Sequence, residues 1–197
     1  MDATPHNLYA PPVAASRPLE PDAATATRSF YVVSSTKFHL LFFATFGLYG
    51  VFWFYTHWQQ YRQGRAETIW PVARAIFAIF FVHALTERIE TALKVQRQRH
   101  VWSPATLATV YIVLEVGSTV LGRLDGRGIG TPATGLLALA SLVPTALVLM
   151  RIQAAANLAC GDPAGAGNAR LGWANGLWLA IGVVGWSLVL AGLLLPA

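Results

Sequence analysis

The chain has 197 residues, of which 55% are hydrophobic and 12% charged, and its 14 Lys and Arg against nine Asp and Glu give a formal net charge of +5. A soluble domain carries about 25% charged residues, so roughly half of the usual charge is missing. The hydrophobicity excludes a disordered chain, the aperiodic glycines exclude collagen, and the single Cys160 excludes a disulfide scaffold. The composition therefore predicts an integral membrane protein.

Residues 1–34 form a segment rich in Pro, Ala, Ser and Thr, without an apolar period. Such a segment buries too little apolar surface to offset its ordering entropy, which predicts a disordered tail. A docking peptide built on Tyr9-Ala10-Pro11-Pro12 is the alternative interpretation. The segment has neither the basic cluster nor the early apolar run of a signal peptide.

The apolar residues after this tail fall into segments of membrane-spanning length. A transmembrane helix needs about 20 mainly apolar residues, because the hydrocarbon core is about 30 Å thick. Four segments qualify, at residues 38–58, 105–122, 133–150 and 171–195. A fifth, residues 70–86, fits either a span or a helix lying in the membrane interface. The predicted fold class is all-α, a polytopic membrane helix bundle of four or five spans over residues 35–197.

Lys and Arg in the connections predict the orientation of such a bundle. With five spans, nine basic residues flank the side of the tail and four flank the other side, whereas four spans place the tail outside. Both versions put the basic run Arg88–Arg99 in the cytoplasm. This run also fits attraction to anionic inner-leaflet lipids, at about 1 kcal/mol per basic residue. It is short and interrupted by Glu90, so nucleic-acid binding is not expected.

The most distinctive motif lies in the first predicted span and consists of Gly47, Tyr49, Gly50 and Trp53. The two glycines remove side-chain bulk within one turn and let another backbone approach. Aromatic residues around Trp53 are typical of the membrane–water boundary. The motif predicts a packing notch with an aromatic belt, and an aromatic ligand pocket is the alternative.

The same string matches the pattern T-x-G-[LI]-Y-x-x-[YF]-W through Thr45, Gly47, Leu48, Tyr49, Phe52 and Trp53. With this pattern, and with the NARLGWANG string from Asn168 to Gly176, the chain resembles a group of uncharacterised small multi-pass bacterial membrane proteins, a domain of unknown function. The resemblance implies a location in the bacterial inner membrane. It implies no activity and carries over no catalytic residue.

Among the polar residues of the predicted spans, the candidates for a functional role are Glu115, Arg74 and His83. An acidic side chain at the centre of a span costs about 2.5–3.5 kcal/mol, so Glu115 is expected to face a bundle interior or a cavity. Three hypotheses compete for it. It could relay a proton or cation, pair with Arg74 or His83, or bond across helices as a protonated carboxyl.

Small residues on two spans predict close helix packing: Ser118 and Gly122, and the Gly172–Gly176 GxxxG pair. The sequence does not distinguish packing within the chain from packing against a partner or a second copy.

The sequence contains no nucleophile elbow, no P-loop and no dinucleotide fingerprint. Its histidines are scattered and Cys160 stands alone, so we expect no metal site and no cofactor. These patterns favour a non-enzymatic inner-membrane protein that acts through protein partners, as an assembly factor, accessory subunit or immunity-type protein. A small proton- or ion-coupled transporter or channel using Glu115 is the alternative. A membrane-embedded lipid-modifying enzyme that gathers Arg74, His83, Glu87 and Glu115 is the third hypothesis.

Overall fold

The computed structural model describes residues 29–63, 65 and 67–194, and within these ranges all regular structure is helical. The α-helices are α1 (Ser35–Ala44), α2 (Tyr49–Arg62), α3 (Pro71–Ile76), α4 (Ala78–Val95), α5 (Pro104–Asp125), α6 (Ala133–Ala140), α7 (Leu142–Ala159) and α8 (Trp173–Leu194), and a 3-10 helix covers Ala166–Asn168. The predicted all-α class is confirmed. The predicted disorder of residues 1–28 lies outside the described residues.

Three helical segments among the described residues are long and apolar enough to cross a membrane: Pro104–Asp125, Ala133–Ala159 and Trp173–Gly192. They coincide with the predicted spans at 105–122, 133–150 and 171–195. Helices α6 and α7 continue through Ser141, whose N–H donates to Leu137 O at 3.0 Å and whose carbonyl accepts from Thr145 N–H at 3.1 Å. The chain is therefore a helical protein with three candidate membrane spans in its described part.

The first predicted span, residues 38–58, is divided into two helices. Between α1 and α2, Phe46 and Gly47 adopt φ angles of 52° and 84°, a left-handed conformation that ends a helix. The two helices then lie side by side, with the Phe38 ring centroid 5.7 Å from that of Tyr49 and 6.3 Å from that of Trp53. We call this α1–α2 pair hairpin 1.

The segment at residues 70–86 is also not one helix, because Phe77 separates α3 from α4 with φ −100° and ψ 40°. Helix α4 continues beyond the predicted end to Val95. An ion pair of 2.8 Å between Arg88 Nη2 and Glu67 Oε2 brings the chain before α3 next to the later turns of α4. We call this α3–α4 unit hairpin 2.

Residues 29–34, which the sequence assigns to the tail, are extended and pack into the core. The side chains of Phe30, Tyr31 and Val33 are buried. The tail therefore ends earlier than predicted, because large apolar residues at positions 30, 31 and 33 supply the buried surface that the Pro- and Ala-rich part lacks.

Helix α8 packs mainly against α1. Gly182 and Gly185 form the contact, since a Cβ on Gly182 would overlap Ala44 and one on Gly185 would lie 2.7 Å from Phe46 Cε2. Trp186 strengthens it by stacking on Phe46 with ring centroids 4.6 Å apart and by donating its indole N–H to Phe43 O at 2.8 Å. Two glycines of the last span therefore serve packing within the chain.

We expect Gly182→Val to destabilise the protein by roughly 1–3 kcal/mol, because the added methyl groups must push α8 away from the Ala44 backbone. Thermal unfolding of the full chain in detergent measures the effect. Gly176→Val is the matched control, since a Cβ at Gly176 meets nothing within 4 Å. Equal melting temperatures for the two variants would contradict the proposed packing of α8 on α1.

Candidate functional site

The densest polar cluster of the structure surrounds the extended segment Tyr31–Val33. This segment runs between α2 and α7, and its backbone is held by side chains rather than by another strand. Asn157 accepts from Val33 N–H with Oδ1 at 3.3 Å and donates from Nδ2 to Val33 O at 3.0 Å. One carboxamide thus satisfies both backbone groups of a fully buried residue.

Gln153 lies one turn before Asn157 on α7 and is also fully buried. Its Nε2 donates to Tyr31 O at 2.8 Å and to Asn157 Oδ1 at 2.7 Å. Its Oε1 accepts from the indole N–H of Trp53 and lies 3.3 Å from His57 Nε2. The carboxamide uses both donors and both acceptor positions, so it is completely saturated.

His57 completes the cluster from α2 and is fully buried. The Tyr31 N–H donates to its Nδ1 at 3.4 Å, so Nδ1 is an acceptor. The proton of a neutral ring then resides on Nε2, where it points toward Gln153 Oε1. We call Trp53, His57, Gln153 and Asn157 the amide clamp.

A second group of polar residues holds the same segment from the connection between α7 and α8. Asn168 Nδ2 donates to Val32 O at 2.9 Å and to Tyr31 Oη at 3.0 Å, while its Oδ1 accepts from Lys37 Nζ at 2.7 Å. Lys37 Nζ also donates to Arg170 O at 2.8 Å. The amide clamp and Asn168 together bind the N-terminal segment as a receptor would bind an extended peptide.

The turn that positions Asn168 is held by Asp162. Its two carboxylate oxygens accept from Ala166 N–H at 2.9 Å and from Gly167 N–H at 2.7 Å. These hydrogen bonds hold the pKa of the Asp162 carboxyl below its usual range. The left-handed Gly165 of this turn lies directly against the Val33 backbone, where a Cβ would overlap it.

The residues of the first-span motif lie at the turn of hairpin 1 and beside the amide clamp. Gly47 forms the turn of hairpin 1, where its φ of 84° suits glycine. Gly50 is buried near Phe42, whose Cε2 would lie 3.7 Å from a Cβ added at this glycine. Tyr49 Oη lies 3.1 Å from Tyr31 Oη, and Trp53 belongs to the amide clamp. The motif therefore builds a turn and one wall of the clamp, and Gly47 also leaves room for α7, since a Cβ there would lie 3.1 Å from Leu142 Cδ2.

The three predicted intramembrane polar residues do not come together. Glu115 borders a cavity of about 140 Å³ beside Gly47, Gly50 and Tyr111, and its carboxyl forms no hydrogen bond or ion pair with the described residues. His83 is exposed, with Nε2 3.4 Å from Thr109 Oγ1. Arg74 lies instead over the Trp58 ring, 4.3 Å from its centroid. The expected pairing of Glu115 with Arg74 or His83 is not formed.

The predicted small-residue positions divide into two groups. Ser118 joins α5 to the carbonyl of Ala138 in α6 through its hydroxyl, at 3.4 Å. A Cβ added at Gly122 or Gly176 meets nothing within 4 Å, and one at Gly172 reaches only Asn175 Nδ2 at 4.0 Å. These three glycines therefore take no part in packing within the described chain.

The amide clamp was not identified from the sequence, although a signal is present. Gln153 and Asn157 are spaced by one turn in the Ala-rich stretch RIQAAANLA, which places two buried carboxamides on one helix face. Their backbone partners, Tyr31 and Val33, lie 122 and 124 positions earlier in the chain. No local pattern connects the two.

Among the residues that the structure describes, no group of three or more His, Cys, Asp or Glu side chains could hold a metal ion. No protein-family model, curated protein or solved structure matches the chain. The resemblance carried by the first-span pattern therefore stays a prediction.

We expect Asn157→Ala to lower the free energy of unfolding by roughly 2–5 kcal/mol, since it leaves a buried N–H and a buried carbonyl of Val33 without partners. Thermal unfolding in detergent gives the magnitude, and limited proteolysis reports release of residues 29–34. Arg151→Ala is the control on the same helix, because Arg151 is exposed. A clamp variant as stable and as protease-resistant as this control would refute the role of Asn157.

A pH dependence follows from Asp162. Because its folded pKa lies below the ordinary value of 3.8, the carboxylate stabilises the fold above that value, and the contribution is lost as pH falls through the folded pKa. Melting temperatures of wild type and Asp162→Asn should therefore differ near neutral pH and converge in acid. A difference that stays constant as the pH falls would show that the charge of Asp162 is not responsible.

Proposed function

We propose that the chain is an integral protein of the bacterial inner membrane that catalyses no reaction and acts by binding another membrane protein. Assembly factors, accessory subunits and immunity-type proteins work in this way. The observation that carries the proposal is the attachment of α8, which contacts the bundle chiefly through α1. This leaves open the face that carries Gly176 and, just before the first residue of the helix, Gly172. The occupant we propose for this face is one transmembrane helix of a partner protein.

The amide clamp supports a structural rather than a chemical role for the central polar residues. All donor and acceptor positions of Gln153 are used within the chain, and the carboxamide of Asn157 is hydrogen-bonded to the Val33 backbone. A catalytic centre needs polar groups that are free to bind a substrate. This cluster instead fixes the N-terminal segment Tyr31–Val33 against α2 and α7.

We further propose that three helical segments cross the bilayer and that hairpins 1 and 2 enter it from one side without crossing. The tips of both hairpins carry exposed apolar side chains, among them Leu48, Phe77 and Phe80. At the tip of hairpin 1 the backbone is satisfied locally, since Gly47 N–H donates to Phe42 O at 2.8 Å and Tyr49 N–H to Thr45 Oγ1 at 2.9 Å. A broken helix is tolerated in a membrane under these conditions.

The distribution of basic residues favours this arrangement over four or five spans. Of the 14 Lys and Arg, Arg123 and Arg127 flank the connection between α5 and α6, and the other twelve either precede α5 or follow residue 150. If the hairpins do not cross, these twelve share one side. The positive-inside rule then puts the tail in the cytoplasm and the end of α8 outside.

Cysteine accessibility tests the arrangement. We expect Gln63→Cys and Arg97→Cys to be protected from a membrane-impermeant maleimide in spheroplasts, and Arg127→Cys to react. The native Cys160 is buried, so the wild type serves as the unlabelled control. Reaction of Gln63→Cys from outside would mean that hairpin 1 crosses the membrane.

The partner proposal is tested on the open face of α8. We expect Gly176→Leu to abolish a higher-mass complex on native gels of gently solubilised membranes, because the larger side chain prevents close helix approach. Its melting temperature in detergent should match that of wild type. Val184→Leu, also on an exposed position of α8, should keep the complex.

Several outcomes would contradict the proposal. If the wild-type chain from native membranes migrates as a monomer, it has no stable partner. If the complex contains only copies of this chain, the chain self-associates and binds no other protein. A complex that survives Gly176→Leu as well as Val184→Leu does not use this face.

A second candidate function is proton- or ion-coupled transport, and the cavity beside Glu115 is the observation that favours it. The cavity lies between the tips of the two hairpins, and its lining is apolar apart from Glu115 and Tyr111. A relay also needs polar groups on the way to each surface. Glu115→Gln should leave proton flux into proteoliposomes unchanged if the first proposal holds, whereas a loss of flux would favour transport.

A further inference from the structure

Three arginines gather on two aromatic rings in the last turns of α2. The guanidinium carbon of Arg74 lies 4.3 Å from the Trp58 ring centroid, and that of Arg65 lies 4.0 Å from the Tyr61 ring centroid. Arg88 faces both rings, at 5.4 Å from Trp58 and 4.8 Å from Tyr61. We call these five residues the arginine cluster.

The arginine cluster has more positive charge than the chain compensates. Glu67 pairs with Arg88 at 2.8 Å. Arg65 donates to Tyr61 O at 2.7 Å and to Ser29 Oγ at 3.2 Å, both uncharged acceptors. One carboxylate therefore faces three guanidinium groups, and two like charges, those of Arg74 and Arg88, share the ring of Trp58.

Arg74 is the member that the chain leaves unsatisfied. Its guanidinium makes no hydrogen bond or ion pair with any described residue, and its Nη1 is buried without a partner. The same is true of Trp58 Nε1, and in the described residues these are the two buried side-chain nitrogen or oxygen atoms that lack a partner. A buried donor without an acceptor is costly, so both atoms mark a place suited to an acceptor from outside the chain.

We infer that the arginine cluster binds the phosphate group of an anionic phospholipid between Arg74 and Arg88. The phosphate diester of an anionic phospholipid has several acceptor oxygens and a charge that no headgroup cation neutralises, in contrast to the diester of phosphatidylcholine. The planar fork of arginine matches this geometry with two parallel hydrogen bonds. Bound there, it reduces the repulsion between Arg74 and Arg88 and gives Arg74 Nη1 an acceptor. The aromatic rings hold the guanidinium groups in place beforehand, which lowers the entropic cost of binding.

A membrane lipid fits the surroundings better than a soluble anion. Exposed apolar side chains follow Arg74 toward the tip of hairpin 2, with Phe77 54% exposed and Phe80 71% exposed. These side chains would contact acyl chains below the headgroup. Basic pockets between helices on the cytoplasmic side are known to hold anionic headgroups. The inference rests on the membrane location proposed above, but it does not depend on the proposed partner.

The site also differs from a diffuse attraction to the run Arg88–Arg99. Lys94, Arg97 and Arg99 are exposed and lie outside the arginine cluster. Lys94 is paired with Glu90 at 3.2 Å. Charge alone would make all these residues equivalent, whereas a built site makes Arg74 and Arg88 the important ones.

The test uses the full chain in nanodiscs of phosphatidylcholine alone, or of phosphatidylcholine and phosphatidylglycerol in equal parts. The melting temperature and the phosphatidylglycerol retained in native mass spectra are measured for each variant. We expect phosphatidylglycerol to raise the melting temperature of wild type. Arg74→Gln should lower the retention of phosphatidylglycerol about tenfold, because one pair of charge-assisted hydrogen bonds is lost. Arg74→Lys keeps the charge but not the planar fork, so its retention of phosphatidylglycerol should lie between that of wild type and that of Arg74→Gln.

Arg97→Gln is the matched control, because it removes the same charge from an exposed position outside the cluster. Equal losses for Arg74→Gln and Arg97→Gln would overturn the site in favour of diffuse attraction. Inorganic phosphate added to the protein in phosphatidylcholine is the second control. If it raises the melting temperature as much as phosphatidylglycerol does, the bound phosphate group does not come from a lipid. If Arg74→Gln does not fold in phosphatidylcholine, Arg88→Gln takes its place against the same control. Lipid retention by a monomeric chain would uphold the site even if the partner proposal fails.

Discussion

The fold depends on one buried carboxamide, that of Gln153. It receives hydrogen bonds from Trp53 and His57 of hairpin 1, and it donates to Tyr31 of the N-terminal segment and to Asn157 on its own helix. Three separate parts of the chain therefore meet at a single side chain. In an apolar surrounding each of these bonds is strong because no water competes for the donors and acceptors. The same surrounding makes any unpaired member costly, which fixes one arrangement of hairpin 1 against α7.

This interaction explains how residues 38–58 can form two packed helices instead of one continuous helix. A helix that turns back at Gly47 loses the regular backbone bonds of a continuous span, and something must compensate for the change of direction. Thr45 satisfies the backbone at the turn, and the amide clamp secures the returning helix at Trp53 and His57. Hairpin 2 then packs against the later turns of α2, where the rings of Trp58 and Tyr61 contact Arg74 and Arg88.

Hydropathy predicted the helical class and the three long apolar segments, because both follow from the exclusion of apolar residues from water. It could not predict the division of residues 38–58 and 70–86, since the turn at Gly47 and the break at Phe77 leave the apolar content unchanged. Tyr49 and Trp53 were identified as unusual from their spacing, but their partners lie far away in the chain. Pairing of Arg74 with Glu115 was one of three hypotheses, and Arg74 lies on Trp58 instead, because a guanidinium can stack on a ring without a carboxylate.

The two polar clusters of the molecule differ in one respect that bears on function. In the amide clamp the chain supplies every donor and acceptor, so the cluster is complete and its role is to stabilise the fold. In the arginine cluster the chain supplies three guanidinium groups and one carboxylate, and the two unpartnered buried atoms of the described side chains belong to it. A complete cluster has no capacity for a ligand, whereas an incomplete one does. The surplus of charge at Arg74 and Arg88 is therefore the feature on which the proposed lipid site rests.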